Sequence, residues 1–111
     1  MEKTEYNVIL KGQFSPKKGT LTLQVIGAEV QGFFDFQGQK SHFRGKVIRR
    51  NRYVASLSLI LPQATQDCDV LLVVGENQIL QGGLVDNWGC WPIEGTPIRH
   101  QAWQTLPSVQ R

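Results

Sequence analysis

A chain of 111 residues is the size of one domain, and its 41% hydrophobic and 19% charged residues are the proportions of an ordinary folded protein. This composition excludes an intrinsically disordered chain and a fibrous repeat. The formal net charge of +3 permits an anionic partner without requiring one, because attraction depends on where the cations cluster.

We expect neither an export signal nor a membrane span. The first five residues of the sequence include no apolar run, and the longest such run, Val70 to Val74, is far below the roughly 18 residues that cross a bilayer. Cys68 and Cys90 lack the spacing of a zinc site, and we expect both to be free thiols. We therefore expect a cytoplasmic protein with no membrane association, metal or cofactor.

Apolar and polar residues alternate with a period of two along most of the chain, which predicts strands with one buried face. The alternation is clearest from Thr20 to Val25. Val70 to Val74 is apolar at every position, which predicts a central strand buried on both faces. Gln63 to Asp69 is predicted to be a polar loop, and Trp88 to Pro92 an irregular segment. No window of 11 residues has helical spacing.

These features predict an all-β fold, a single antiparallel meander of seven or eight strands that is curled or closed into a small barrel. Closure would remove the two exposed edges of the sheet. Glycines inside the strands favour strong curvature, because kinks and close backbone contacts suit a residue without Cβ. They are Gly12, Gly32, Gly45, Gly82 and Gly83. We expect the domain to cover residues 1–106, followed by a flexible tail over 107–111.

Three consecutive segments resemble a known architecture. Gly19 to Leu23, Val30 to Phe34 and Phe43 to Val47 are similar to successive hairpins of small avidin-like and lipocalin-like barrels. The Gly-x-Trp opening of lipocalins and a set of biotin-binding residues are both absent from this chain. The resemblance therefore implies a meander barrel and no particular ligand.

The sequence offers few residues for catalysis. It has no phosphate-binding GxxxxGK[ST] loop, no GxSxG elbow and no HExxH motif. His42 and His100 are the only histidines, and both are expected at the surface or at a sheet edge. We predict no catalytic residue, and an enzymatic activity stays open.

The three tryptophans all lie in the last quarter of the chain, as either core residues or the wall of a pocket. Asp35 is expected to be solvated, unless its face of the strand lines the barrel interior. The first functional hypothesis is non-catalytic binding of a small apolar or anionic molecule. Its predicted lining is Phe33, Asp35, Trp88, Trp91 and Arg99.

The segment from Lys40 to Arg52 holds six of the twelve basic residues and no acidic one. Phe43 and Tyr53 interleave with these cations, a combination typical of nucleic-acid platforms. A solvated outer face is the competing interpretation. The second hypothesis is nucleic-acid or anion binding through Arg44, Lys46, Arg49, Arg50 and Arg52. A third is a homodimer that pairs edge strands as a structural or interaction module.

Overall fold

Eight antiparallel strands make up nearly all of the computed structural model, which describes residues 2–11, 16–61, 64–87 and 89–98. Among these residues, none lies in a helix with the length and apolar character needed to span a bilayer. The strands are β1 (Glu2–Leu10), β2 (Lys17–Ile26), β3 (Glu29–Phe36), β4 (Gln39–Arg49), β5 (Arg52–Leu61), β6 (Ala64–Val74), β7 (Leu80–Asp86) and β8 (Gly89–Pro97). A short 3-10 segment, Glu76–Gln78, joins β6 to β7.

The strands pair in sequence order, and β8 returns to β1 to close the barrel. Val8 lies opposite Gly95 at this closing seam. The predicted all-β meander is therefore confirmed, with eight strands and full closure. Each described strand has a hydrogen-bonded neighbour on both sides, so no described strand is an open edge along its whole length. The homodimer expected from edge-strand pairing stays a prediction.

The inner faces of the strands form one continuous apolar cluster. Phe34 stacks on Phe36 with ring centroids 5.9 Å apart, and it meets Phe43 at 5.5 Å. The twenty buried apolar residues of this cluster are Tyr6, Val8, Leu10, Leu21, Leu23, Val30, Phe34, Phe36, Phe43, Tyr53, Ala55, Leu57, Leu59, Cys68, Val70, Leu72, Val74, Leu80, Leu84 and Ile93. Because these side chains occupy the inner face, the outer face and the barrel ends are the places to look for a ligand.

Two inward-facing glycines explain how the sheet coils so tightly. A Cβ at Gly32 would overlap the carbonyl oxygen of Thr22, and a Cβ at Gly45 would overlap that of Val54. The predicted role of strand glycines in close backbone contact is confirmed at these positions.

Three predicted local features are wrong. Residues 89–92 are not irregular, because they begin β8. Residues 64–69 are not a loop, because they form the first half of β6 and pair with β5 from Ser56 to Leu61. The strand ending at Val74 is not buried on both faces, since Leu71 keeps 43% of its surface exposed. In a closed barrel one face of every strand points outward, even where the sequence places an apolar residue on it.

Candidate functional site

An aromatic pair lies on the outer face of the barrel. Phe33 of β3 is directly opposite His42 of β4, and their ring centroids are 5.3 Å apart with planes inclined by 48°. The strand alternation turns Phe34 inward and therefore Phe33 outward. The amine of Lys40 lies 5.1 Å from the centre of the Phe33 ring. Phe33 is half-buried and His42 exposed, so the pair offers ring surface next to a cation.

A shallow depression of about 560 Å³ surrounds this aromatic pair. Its lining comes from five neighbouring strands: Lys3, Thr22, Gln24, Gln31, Gly32, Phe33, His42, Phe43, Arg44 and Ser56. The side-chain amide of Gln31 donates to the Gln24 carbonyl oxygen over 3.2 Å. The depression thus combines ring surface, amide and hydroxyl groups and cations, which together can stack on and hydrogen-bond a planar polar ligand.

The five predicted anion-binding residues are all exposed on the β4–β5 hairpin. Arg44 and Lys46 point outward from β4, and Arg49, Arg50 and Arg52 surround its tip. A register shift between Val47 and Arg49 interrupts the ladder next to this tip. Of these five residues, Arg44 lines the depression, and the other four continue from it toward the hairpin tip.

These hairpin cations have no acidic partner in the part of the chain that the structure describes. The single ion pair found there joins Lys11 to Glu94 on the other side of the barrel, at 2.9 Å. Glu29 lies opposite Lys46 in the ladder without an ion pair between them. The cluster's positive charge is therefore available to an anion.

Of the five residues predicted to line a small-molecule site, the structure describes three, and these three do not share one face of the barrel. Phe33 and Asp35 lie on the outer face of β3, and one carboxylate oxygen of Asp35 accepts the Gly38 amide at 2.9 Å, within the β3–β4 turn. Trp91 lies on the inner side of β8, packed against the core, and its indole N–H donates to Asp86 at 3.1 Å. Trp88 and Arg99 lie outside the described residues.

A second depression, of about 680 Å³, lies at the barrel end that carries the β4–β5 turn. We call this end the Arg50 mouth. Its lining is Lys3, Thr4, Val25, Val47, Arg50, Asn51, Tyr53 and Gln78. Val25 and Val47 pack against the core beneath the two cations of this lining, Lys3 and Arg50. Burial raises the pKa of the nearby Tyr6, and electrostatic interaction with Tyr53 adds to this increase. The mouth therefore has an apolar floor, one tyrosine side chain, Tyr53, and a cationic rim.

Strand alternation identifies Lys3, Gln24 and Gln31 as outward-facing, yet no sequence signal separates them from other surface residues. What joins them is the pairing of β1 with β2 and of β2 with β3: Lys3 is opposite Gln24, and Gln24 opposite Gln31. The sequence does not predict this depression, because its lining residues come from strands whose register the sequence does not state.

The cysteines do not form a metal or redox centre within the described ranges. Cys68 is buried, Cys90 is exposed, and both are free thiols as expected. Burial raises the pKa of the Cys68 thiol, and the nearby Asp86, Asp67 and Asp69 raise it further. No group of three or more His, Cys, Asp or Glu side chains in these ranges could hold a metal ion.

The likeness of the hairpins to avidin-like and lipocalin-like barrels concerns their architecture. A scan against protein-family models and searches of curated proteins and solved structures found no match to this chain.

Proposed function

We propose that this protein binds single-stranded nucleic acid along the outer face of β3 and β4. The observation that carries the proposal is the Phe33–His42 pair, which lies on the same face as cations that have no acidic partner among the described residues. Proteins that bind single strands without reading sequence combine aromatic rings, on which bases stack, with a basic groove that follows the backbone. The β3–β4 hairpin presents both elements on adjacent strands.

The arrangement favours a single strand over a duplex. A base can stack on Phe33 or His42 only when its own face is free, and in a duplex both faces are covered by neighbouring pairs. The 11 residues of β4 extend for about 33 Å at the rise of a strand. A track of that length suits a short oligonucleotide, with bases near Phe33 and phosphates near Arg44, Lys46 and the hairpin tip.

The test is fluorescence anisotropy with dye-labelled dT12, U12 and a 12-base-pair duplex over a range of salt concentrations. We expect tighter binding of the single strands, with a log–log salt slope of about −3.5 for five phosphate contacts. Phe33→Leu should weaken binding about tenfold or more, because stacking is lost, whereas Phe33→Tyr should bind like the wild type.

Charge reversal supplies the matched control. Arg49→Glu with Arg50→Glu should weaken binding far more than Lys17→Glu with Lys18→Glu, which changes the net charge equally at the other end of the barrel. No binding at low salt would refute the proposal. Equal affinity for duplex and single strand, unaffected by Phe33→Leu, would reduce the site to a general polyanion surface.

We propose a second candidate, binding of a small amphipathic anion at the Arg50 mouth. It is favoured by one observation: Val25 and Val47 form an apolar floor beneath Lys3 and Arg50. A carboxylate with a short apolar chain would place its charge at the rim and its chain on the floor. Octanoate should then raise the melting temperature by ligand linkage, and Arg50→Ala should reduce the increase. No change in melting temperature at millimolar octanoate would exclude this candidate.

A further inference from the structure

The outer faces of β4, β5 and β6 carry charge in an ordered row. Arg44 of β4 is opposite Ser56 of β5, and Ser56 is opposite Asp69 of β6. The Ser56 hydroxyl donates to the Asp69 carboxylate at 3.2 Å. Three laterally adjacent positions on β4, β5 and β6 are therefore occupied by a cation, a small serine and a carboxylate.

A similar arrangement is found one step along the strands. Ser58 is opposite Asp67 and donates to it at 2.7 Å. His42 lines the same depression, of about 760 Å³, as Ser58 and Asp67. The imidazole of β4 and the carboxylate of β6 thus again lie on either side of a β5 serine.

Toward the β4–β5 turn, the outer face of β5 and β6 becomes apolar. Val54 is opposite Leu71, and they are 37% and 43% exposed. Together with Val85, which is 46% exposed, they line a depression of about 460 Å³. Arg44, Lys46 and Asp69 also line this depression. Exposed aliphatic side chains rimmed by charges of both signs are typical of a protein–protein contact.

We infer that this β5 face, formed by the outward side chains of β4, β5 and β6, binds a second copy of the same chain. A two-fold axis parallel to β5 exchanges β4 with β6 and keeps each position along the strands. Arg44 then faces the partner's Asp69, and Val54 faces the partner's Val54. The face is complementary to itself under this rotation, which is the requirement for an isologous dimer.

A second copy fits better than an unrelated partner because both halves of each ion pair are already present on one face. A purely acidic or purely basic partner would satisfy β4 or β6 and would place like charge against the other. The short serines of β5 let two faces approach closely between the longer charged side chains. This dimer needs no strand edge, so barrel closure does not prevent it.

The inference stands independently of the proposed nucleic-acid binding, although the two surfaces share His42, Arg44, Lys46 and Ser56. A dimer through the β5 face covers these four residues and leaves Phe33, Gln24 and Gln31 uncovered. Oligonucleotide binding and self-association should therefore compete. Asp69 belongs only to the dimer surface, so its variants separate the two ideas.

The experiment is sedimentation velocity and light scattering on four proteins: the wild type, Arg44→Asp, Asp69→Arg, and the double variant with both changes. Like charges opposed across an interface oppose association, so each single variant should dimerise at least about tenfold more weakly than the wild type. The double variant restores opposite charges in every pair and should dimerise again. An equimolar mixture of the two single variants should also form dimers, because each chain supplies the charge that the other lacks.

Circular dichroism keeps the outcomes interpretable, since exposed substitutions on strand faces should leave the spectrum and melting temperature near those of the wild type. A wild-type protein that stays monomeric at about 0.5 mM would overturn the inference, because a dimer with a Kd of about 0.1 mM would be mostly formed there. A wild-type dimer that persists equally in both single variants would place the contact elsewhere and overturn it as well. If the wild type is monomeric and still binds dT12, the dimer inference is refuted and the proposed nucleic-acid binding is not.

Discussion

The hydroxyl of Ser41 accepts the backbone N–H of Ile60 at 2.8 Å, where β4 and β5 separate near the end of the barrel. The described ladder between these strands begins at Phe43 opposite Leu57, so the Ser41 side chain takes the place of a main-chain acceptor. Ser41 has no exposed surface. The bond therefore satisfies a part-buried donor at a point that water does not easily reach.

Ser41→Ala should lower the free energy of unfolding by about 1–3 kcal/mol, because the Ile60 N–H loses its acceptor without gaining water. Urea denaturation measures the change. Ser58→Ala is the matched control, since the hydroxyl of Ser58 is exposed and bonds Asp67 at the surface. It should alter stability by about 0.5 kcal/mol or less. Equal losses from the two substitutions would contradict the role given to Ser41.

Gly32→Ala should destabilise the barrel by about 3 kcal/mol or more, because the added methyl group meets the backbone of Thr22, which can move only with its strand. Gly83→Ala is the comparison. A Cβ there would lie 3.0 Å from the Cys90 sulfur, which belongs to a side chain that can rotate. Thermal melting should therefore show a large decrease for Gly32→Ala and a small one for Gly83→Ala. Similar melting temperatures would mean that the coiling does not depend on close contact at Gly32.

Stability should fall as the pH rises above about 9, because Cys68 and Tyr6 both have raised pKa values in the folded protein. Their ordinary values are 9.0 and 10.0. Below these values both groups are protonated in the folded and unfolded states, and the contribution is fully present. Above them the unfolded chain loses protons that the folded chain keeps, so the free energy of unfolding decreases by at most about 1.4 kcal/mol per pH unit for each group.

Urea denaturation of Cys68→Ala between neutral and alkaline pH checks this expectation. The variant should lose less stability on going to alkaline pH than the wild type does, whatever its stability at neutral pH. Cys90→Ala removes an exposed thiol and is the control for the loss of a cysteine. If both variants follow the wild-type profile, the alkaline loss arises from other groups.

Much of the fold follows from local patterns. The period of two between Thr20 and Val25 predicts β2, and the interior glycines indicate strong coiling, as Gly32 and Gly45 confirm. Residues 64–69 were assigned wrongly because their outward positions are polar and they follow a proline. Their partners on β5 are 3 to 13 residues away, a relationship that composition within one window does not contain.

The candidate site was only partly predictable, for a related reason. The hairpin cations can be predicted from the sequence, because they are close together in it and no acidic residue lies among them. The aromatic partner of Phe33 is His42, and that pair depends on the register of β3 against β4. For Trp91 the local sequence is misleading. Its neighbouring glycine and proline predict a loop, but Trp91 lies on the inner side of β8.

Glu29 lies directly opposite Lys46 on the outer face of the barrel, beside the proposed phosphate track. Glu29→Lys removes one repulsion toward a phosphate and adds one attraction. If the proposed track along β4 binds single strands, the affinity for dT12 at low salt should rise severalfold, and the salt slope should become steeper by about 0.7.

Glu94→Lys is the control for net charge. It makes the same change on β8, where it disrupts only the exposed pair with Lys11, which contributes about 1 kcal/mol or less to stability. Anisotropy titrations of both variants show whether the affinity for dT12 depends on where the charge is changed. A selective increase for Glu29→Lys places the phosphates beside Lys46. An equal increase for both variants would mean that oligonucleotides respond to total charge, and the β4 track would then lose its support.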